Sequence, residues 1–193
     1  MKNLLYSCFL SSILVICVTA CTPAREDDRL INQIISKHAA IQKKRGLSLC
    51  ATGGCNKEGK TQGPSIDYVC KEPMNIPQAR KLFVELSEEM IALMNSCEAI
   101  QPYMYHSPFI FKDLKMGILF FQAPSTYRDY PYVGLVSTLP DHQKVYYSFH
   151  KYDPSIGQDG FVRKYDHEET YEEALRLTGR MSSDDVKPLD ELE

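Results

Sequence analysis

Downstream of Asp28, apolar side chains return at helical spacing. Leu30, Ile31, Ile34, Ile35 and Ile41 fall on one stripe with His38, and charged residues lie between them. The pattern predicts a first helix from Asp27 or Asp28 to Arg45. Acidic residues at its start and Lys43, Lys44 and Arg45 at its end complement the helix dipole, and Gly46 is a natural stop. A second stripe is longer and cleaner: Ala79, Leu82, Phe83, Leu86, Met90, Leu93, Met94 and Cys97 share one face, with Arg80, Lys81, Glu85, Glu88 and Glu89 mostly off it. Asn75 stands where an N-cap belongs and Pro77 falls in the first turn, so this segment reads as a core helix.

Between the two stripes, residues 51–65 (ATGGCNKEGKTQGPS) carry glycine and polar groups without periodicity and read as a loop, followed by a short strand over Ser65 to Lys71. After the second helix the period shortens to that of strands. Phe109 to Phe111, Met116 to Ala123, Tyr132 to Thr138 and Lys144 to Tyr152 are the expected strands. Pro140, Asp141 and His142 mark a turn that makes the last two an antiparallel hairpin. Asp166 with Glu169 reads as a capping box for a last helix through Tyr171, Ala174, Leu175 and Thr178, ending at Gly179. Beyond Ser182 the chain is acidic and stripeless, as a frayed tail is. Helices first, then a run of strands, then one short helix: this order predicts an α+β fold, an antiparallel sheet with helices packed on one face, rather than alternating βαβ units.

The N-terminus has a different logic. Lys2 precedes an uncharged run over residues 4–18 (LLYSCFLSSILVICV), and small residues follow at Thr19 and Ala20, the layout of a secretory signal. The run is shorter than the roughly 20 residues a helix needs to span a bilayer, which predicts cleavage rather than permanent insertion. The boundary Val18-Thr19-Ala20-Cys21 resembles the lipobox of bacterial lipoprotein precursors, the substrates of signal peptidase II. Cys17 follows the bulky Ile16, and Cys8 precedes any apolar run, so Cys21 alone fits. The resemblance implies that residues 1–20 are a cleaved signal peptide, that Cys21 is the lipidation site, and that residues 21–28 form a lipidated tether to one domain over 29–181 with an acidic tail at 182–193. Two or three acyl (palmitate) chains, at about 0.8 kcal/mol per buried methylene, hold such a protein at the membrane permanently. Thr22 in place of an aspartate implies the outer membrane of the cell envelope rather than the inner.

Composition narrows the partners. With 193 residues, 44% hydrophobic and 24% charged, the chain has the make-up of one ordinary domain, and a net charge of -3 offers no basic field for nucleic acid. Of seven cysteines, removal of the signal leaves Cys50, Cys55, Cys70 and Cys97 besides the anchor. In an oxidising compartment this even number predicts two disulfides, with Cys50–Cys55 and Cys70–Cys97 preferred among the possible pairings. The competing arrangement is a metal site on Cys50 and Cys55 completed by His38 or His106, but no second cysteine pair supports it, so no metal and no cofactor is expected.

Catalytic signatures are missing: there is no Gly-x-Ser-x-Gly elbow, no His-Glu-x-x-His helix and no phosphate loop, and no catalytic residue is assigned. Residues 153–160 (DPSIGQDG) lack calcium-loop spacing and read as a turn. The remaining signal is tyrosine, twelve of them without a tryptophan. On the last predicted strand, Val145, Tyr147, Phe149 and Lys151 share one face, which reads as core. Tyr146, Ser148, His150 and Tyr152 share the other, the candidate binding surface, since tyrosine buries its ring while keeping its hydroxyl wet. The expected function is a non-catalytic envelope lipoprotein that binds a protein or peptidoglycan partner at the membrane surface. The alternative is an envelope-anchored hydrolase acting on wall or secreted substrates, which requires a cleft enclosing two or three of His106, His142, His150 and His167 with a carboxylate.

Overall fold

A computed structural model describes residues 25–122, 126–127, 130–153, 155 and 161–181. The signal segment, Cys21 and the tail from Ser182 lie outside the described residues.

Helix α1 spans Glu26–Lys43, within reach of the predicted bounds, and opens inside the stretch read as tether. Its start is pinned from the sheet side: the buried Asp27 carboxylate accepts a 2.7 Å hydrogen bond from Thr61 and a 2.8 Å bond from Arg25. Leu30, Ile31, Ile34, Ile35 and His38 face inward as the stripe predicts, but in the last turn Gln42 takes the buried position and Ile41 is 37% exposed. Gly46 ends the connection with φ of 83°, a conformation glycine adopts without steric penalty.

The segment read as a loop is a long hairpin, β1 (Leu47–Lys57) and β2 (Lys60–Cys70). Glu58 and Gly59, with φ of 52° and 78°, form its two-residue turn, whose positive-φ backbone matches the right-handed twist of the flanking strands. The pattern is illegible in the sequence because β1 is an edge strand: only Leu47 is buried, so neither face imposes alternation. On β2, Ile66, Tyr68 and Cys70 do alternate inward.

Helix α2 (Ile76–Ser96) has the predicted start in full: Asn75 accepts from the Gln78 backbone amide, Gln78 reciprocates, and Pro77 sits in the first turn. It returns the chain from the end of β2 to the start of β3 (Lys115–Gln122), which therefore pairs with β2 in parallel. This one crossover makes the sheet mixed, where a wholly antiparallel one is predicted from the sequence. The expected strand at Phe109 to Phe111 is instead an irregular segment leading into a 3-10 turn at Phe111–Asp113, with both phenylalanines buried.

The remaining strands are β4 (Thr126–Tyr127), β5 (Leu135–Ser137), β6 (Lys144–Tyr152) and β7 (Phe161–Thr170). The sheet order is β1-β2-β3-β5-β6-β7, with β4 pairing β3, and every neighbouring pair except β2/β3 is antiparallel. The β5–β6 hairpin turns at Asp141, φ 63°, where the sequence places it. Strand β7 also departs from the expectation: Asp166 and Glu169 are not a capping box but strand residues, and Thr170 caps α3 (Tyr171–Leu177) by accepting from the Glu173 amide at 3.0 Å.

A single core joins the inward residues of α1, α2 and α3 to Ile66, Tyr68, Met116, Ile118, Phe120, Val136, Val145, Tyr147 and Phe149. The helices thus cover one face of the sheet, which is the α+β architecture. No helix among the described residues is long and apolar enough to cross a membrane.

Candidate functional site

Strand β6 behaves as its alternation demands. Val145, Tyr147 and Phe149 are buried in the core, and Tyr146, Ser148 and His150 point to the face that carries no helix. Tyr152 holds the end of the strand in backbone register with Phe161.

Register then brings together residues that are distant in the chain. Asp67, Gly117, Ser137, Tyr146 and Glu168 form one cross-strand row from β2 to β7. Val69, Leu119, Leu135, Ser148 and Asp166 form the next, and His150 stands opposite Arg163 beyond a bulge. Gly117 and Ser137 in the first row and Ser148 in the second lower the surface. The result is an open depression of about 460 Å³ bordered by Leu135, Ser137, Leu139, Tyr146, Ser148, His150 and Arg163.

Two glycines make room for larger side chains on this face. A Cβ on Gly134 would collide with His150 Nδ1, so the imidazole occupies space that only a glycine leaves open. A Cβ on Gly117 would likewise strike the Asp67 carboxylate, which overlies it. Burial, reinforced by Arg163, pushes the His150 pKa down, with Asp166 opposing. At the rim, the Tyr146 hydroxyl and His142 Nδ1 share a 2.7 Å hydrogen bond. The charges on β7 are matched locally: Arg163 Nε donates to Asp166 at 2.7 Å, and Lys144 Nζ to Glu168 at 2.6 Å.

The other histidines are dispersed. His38 is buried, its Nδ1 2.6 Å from the Tyr68 hydroxyl, which places it in the core and removes it from any metal site with Cys50 and Cys55. His106, half-buried, meets the fully buried Asp113 through Nδ1 at 2.7 Å. His167 packs its ring on Tyr147 and stands 3.9 Å from Glu169. Asp113 and Glu169 thus serve different histidines, and neither borders the depression.

Against the predicted staple, no bridge joins Cys50, Cys55, Cys70 or Cys97 among the described residues. Cys50 and Cys55 lie on one extended strand, and at about 3.3 Å per residue they are about 16 Å apart, where a bridge needs Cα atoms within about 7 Å. Cys50 instead occupies a bulge with its thiol directed at the Asp67 carbonyl, 3.2 Å away, and Cys70 Sγ turns to the Glu72 carbonyl at 3.8 Å.

Alternation along β6 places Tyr146, Ser148 and His150 on one face, but it does not give their neighbours on β5 and β7 or the buried carboxylates. For Glu169 the signal was present: in a strand read through to Thr170 it faces inward with His167, and a charge at an inward position demands a partner.

No protein-family model matches this chain, and comparison with curated proteins and with solved structures likewise finds no match.

Proposed function

We propose that this chain is a lipid-anchored envelope protein that works by binding rather than catalysis, its open sheet face meeting a protein or cell-wall partner at the membrane surface. The observation that carries this is the one-sided fold: three helices bury one face of the sheet, and the other presents a depression lined by the tyrosine, serine and histidine of β6. Dispersal of the histidines among separate carboxylates removes support from a hydrolase. Attachment rests on the lipobox residues Val18 to Cys21. With α1 starting at Glu26, a tether from Cys21 reaches at most about 17 Å, so the domain lies against the bilayer surface, on its outer-membrane side by the Thr22 argument.

Two measurements test the proposal. Cys21→Ser abolishes labelling by a radioactive fatty acid and leaves unprocessed precursor in the membrane; labelling equal to wild type refutes the anchor. A photo-crosslinker at Tyr146 yields adducts with a discrete partner or with the wall in intact cells, while one at the exposed Glu172 of α3 does not. Equal adducts from both positions, or none from Tyr146, remove the binding face.

A further inference from the structure

We infer that the depression on the open face is a subsite for uncharged sugar rings, so that the partner is a glycan. This rests on reading that face as a binding surface and goes beyond it in naming the ligand chemistry.

Size is the first argument. About 460 Å³ falls within the roughly 300–1,000 Å³ of small-ligand sites and accommodates about one or two hexose-sized rings, with the open sides leaving room for a chain to continue.

Hydrogen-bonding character is the second. Ser137, Ser148 and Tyr146 contribute hydroxyls, and each hydroxyl both donates and accepts. A ligand bearing only acceptors, such as a phosphate, uses half of that capacity, whereas a polyol matches it because its own hydroxyls also do both. Leu135 and Leu139 add apolar wall for the C–H faces of a ring, and the Tyr146 ring stands at the rim.

Charge is the third. Arg163, the cation among the residues that line the depression, is already held by Asp166, and Lys144 by Glu168, so that lining offers no unmatched cation to an anion. Asp67, lying over Gly117 beside Ser137, would repel one. A neutral ligand meets none of these obstacles.

The test titrates the full chain, in neutral detergent, with uncharged tetrasaccharides of the gluco, manno, galacto and N-acetylglucosamine series, read by calorimetry and saturation-transfer NMR. At least one series binds saturably. Tyr146→Ala, which removes a wall, and Ser137→Leu, which fills the floor, each weaken that binding at least about tenfold. Glu172→Ala leaves it unchanged, and matching thermal melts show that the variants are folded. Binding that survives both face variants places the sugar elsewhere and overturns the inference. So does the absence of saturable binding by any series, or tighter binding of inorganic phosphate than of the sugars. In those cases, crosslinking from Tyr146 that persists to a protein keeps the binding face and discards the glycan; its loss as well discards both.

Discussion

Arg80 on α2 grips Glu169 on β7 with a two-pronged hydrogen bond, Nε to Oε1 at 2.8 Å and Nη2 to Oε2 at 2.7 Å. Tyr147 of β6 donates its hydroxyl to the same carboxylate. Burial and the neighbouring Glu169 charge push the tyrosine pKa upward, so the hydroxyl stays protonated and remains a donor. Two strands and the central helix are locked together at one buried charge.

Truncating one partner should therefore be severe. Arg80→Ala leaves the Glu169 carboxylate buried without its cation and costs about 3–5 kcal/mol in urea unfolding. Arg80→Met with Glu169→Leu, which removes both charges, recovers most of that loss. A loss below about 1 kcal/mol for Arg80→Ala would falsify the claim that the pair is desolvated.

His38 sets a pH dependence. Burial lowers its pKa to about 4, partly opposed by Glu89 and the Leu86 backbone, whereas the unfolded chain has about 6.5. Because the folded value is the lower one, the unfolded state binds more protons between these limits. The contribution of His38 is complete above pH 6.5 and is lost as pH falls toward 4, about 3 kcal/mol in all. Urea unfolding at pH 7 and pH 4.5 should show His38→Gln losing about 2–3 kcal/mol less than wild type across that interval. Equal losses mean that the imidazole is hydrated.

Core packing is tested on adjacent residues. Leu86 is fully buried on α2, and Leu86→Ala leaves a cavity costing about 2–5 kcal/mol. Glu85, one residue earlier, holds only a half-exposed, 3.6 Å ion pair with Arg180, so Glu85→Ala changes stability by no more than about 0.5 kcal/mol. Thermal melts that shift alike for the two would show that this face of α2 is not packed.

Thiol chemistry follows from placement. Without reductant, the denatured domain should take up alkylating reagent at Cys50, Cys55, Cys70 and Cys97, read by mass spectrometry. In the folded protein Cys50, which is exposed, reacts while Cys70, which is buried, is protected until unfolding. The reaction at Cys50 is slow for a surface thiol, because partial desolvation of the sulfur and the Asp67 charge raise its pKa. A bridged peptide containing any two of these cysteines contradicts the structure.

Local signals were enough for α2 and β6. Asn75, Gln78 and Pro77 act within one turn, and an amphipathic stripe needs only a core on one side, so neither depends on which element lies opposite. The same holds for half of the open face, since period-two alternation separates Tyr146, Ser148 and His150 from Val145, Tyr147 and Phe149 in any sheet with one covered side. What alternation leaves open is the neighbour. Leu135, Ser137 and Arg163 join the depression through strand register, and register is a relation between distant segments. Strand β1 was illegible because an edge strand with almost nothing buried has no pattern to show. The parallel β2–β3 pair and the partner that Glu169 meets were likewise decided only when α2 carried the chain across the sheet and fixed which residues stand face to face. The sequence by itself determined which residues turn inward on α2 and β6; the tertiary structure decided what each of them meets, because periodicity records burial and pairing is set by the packing of remote elements.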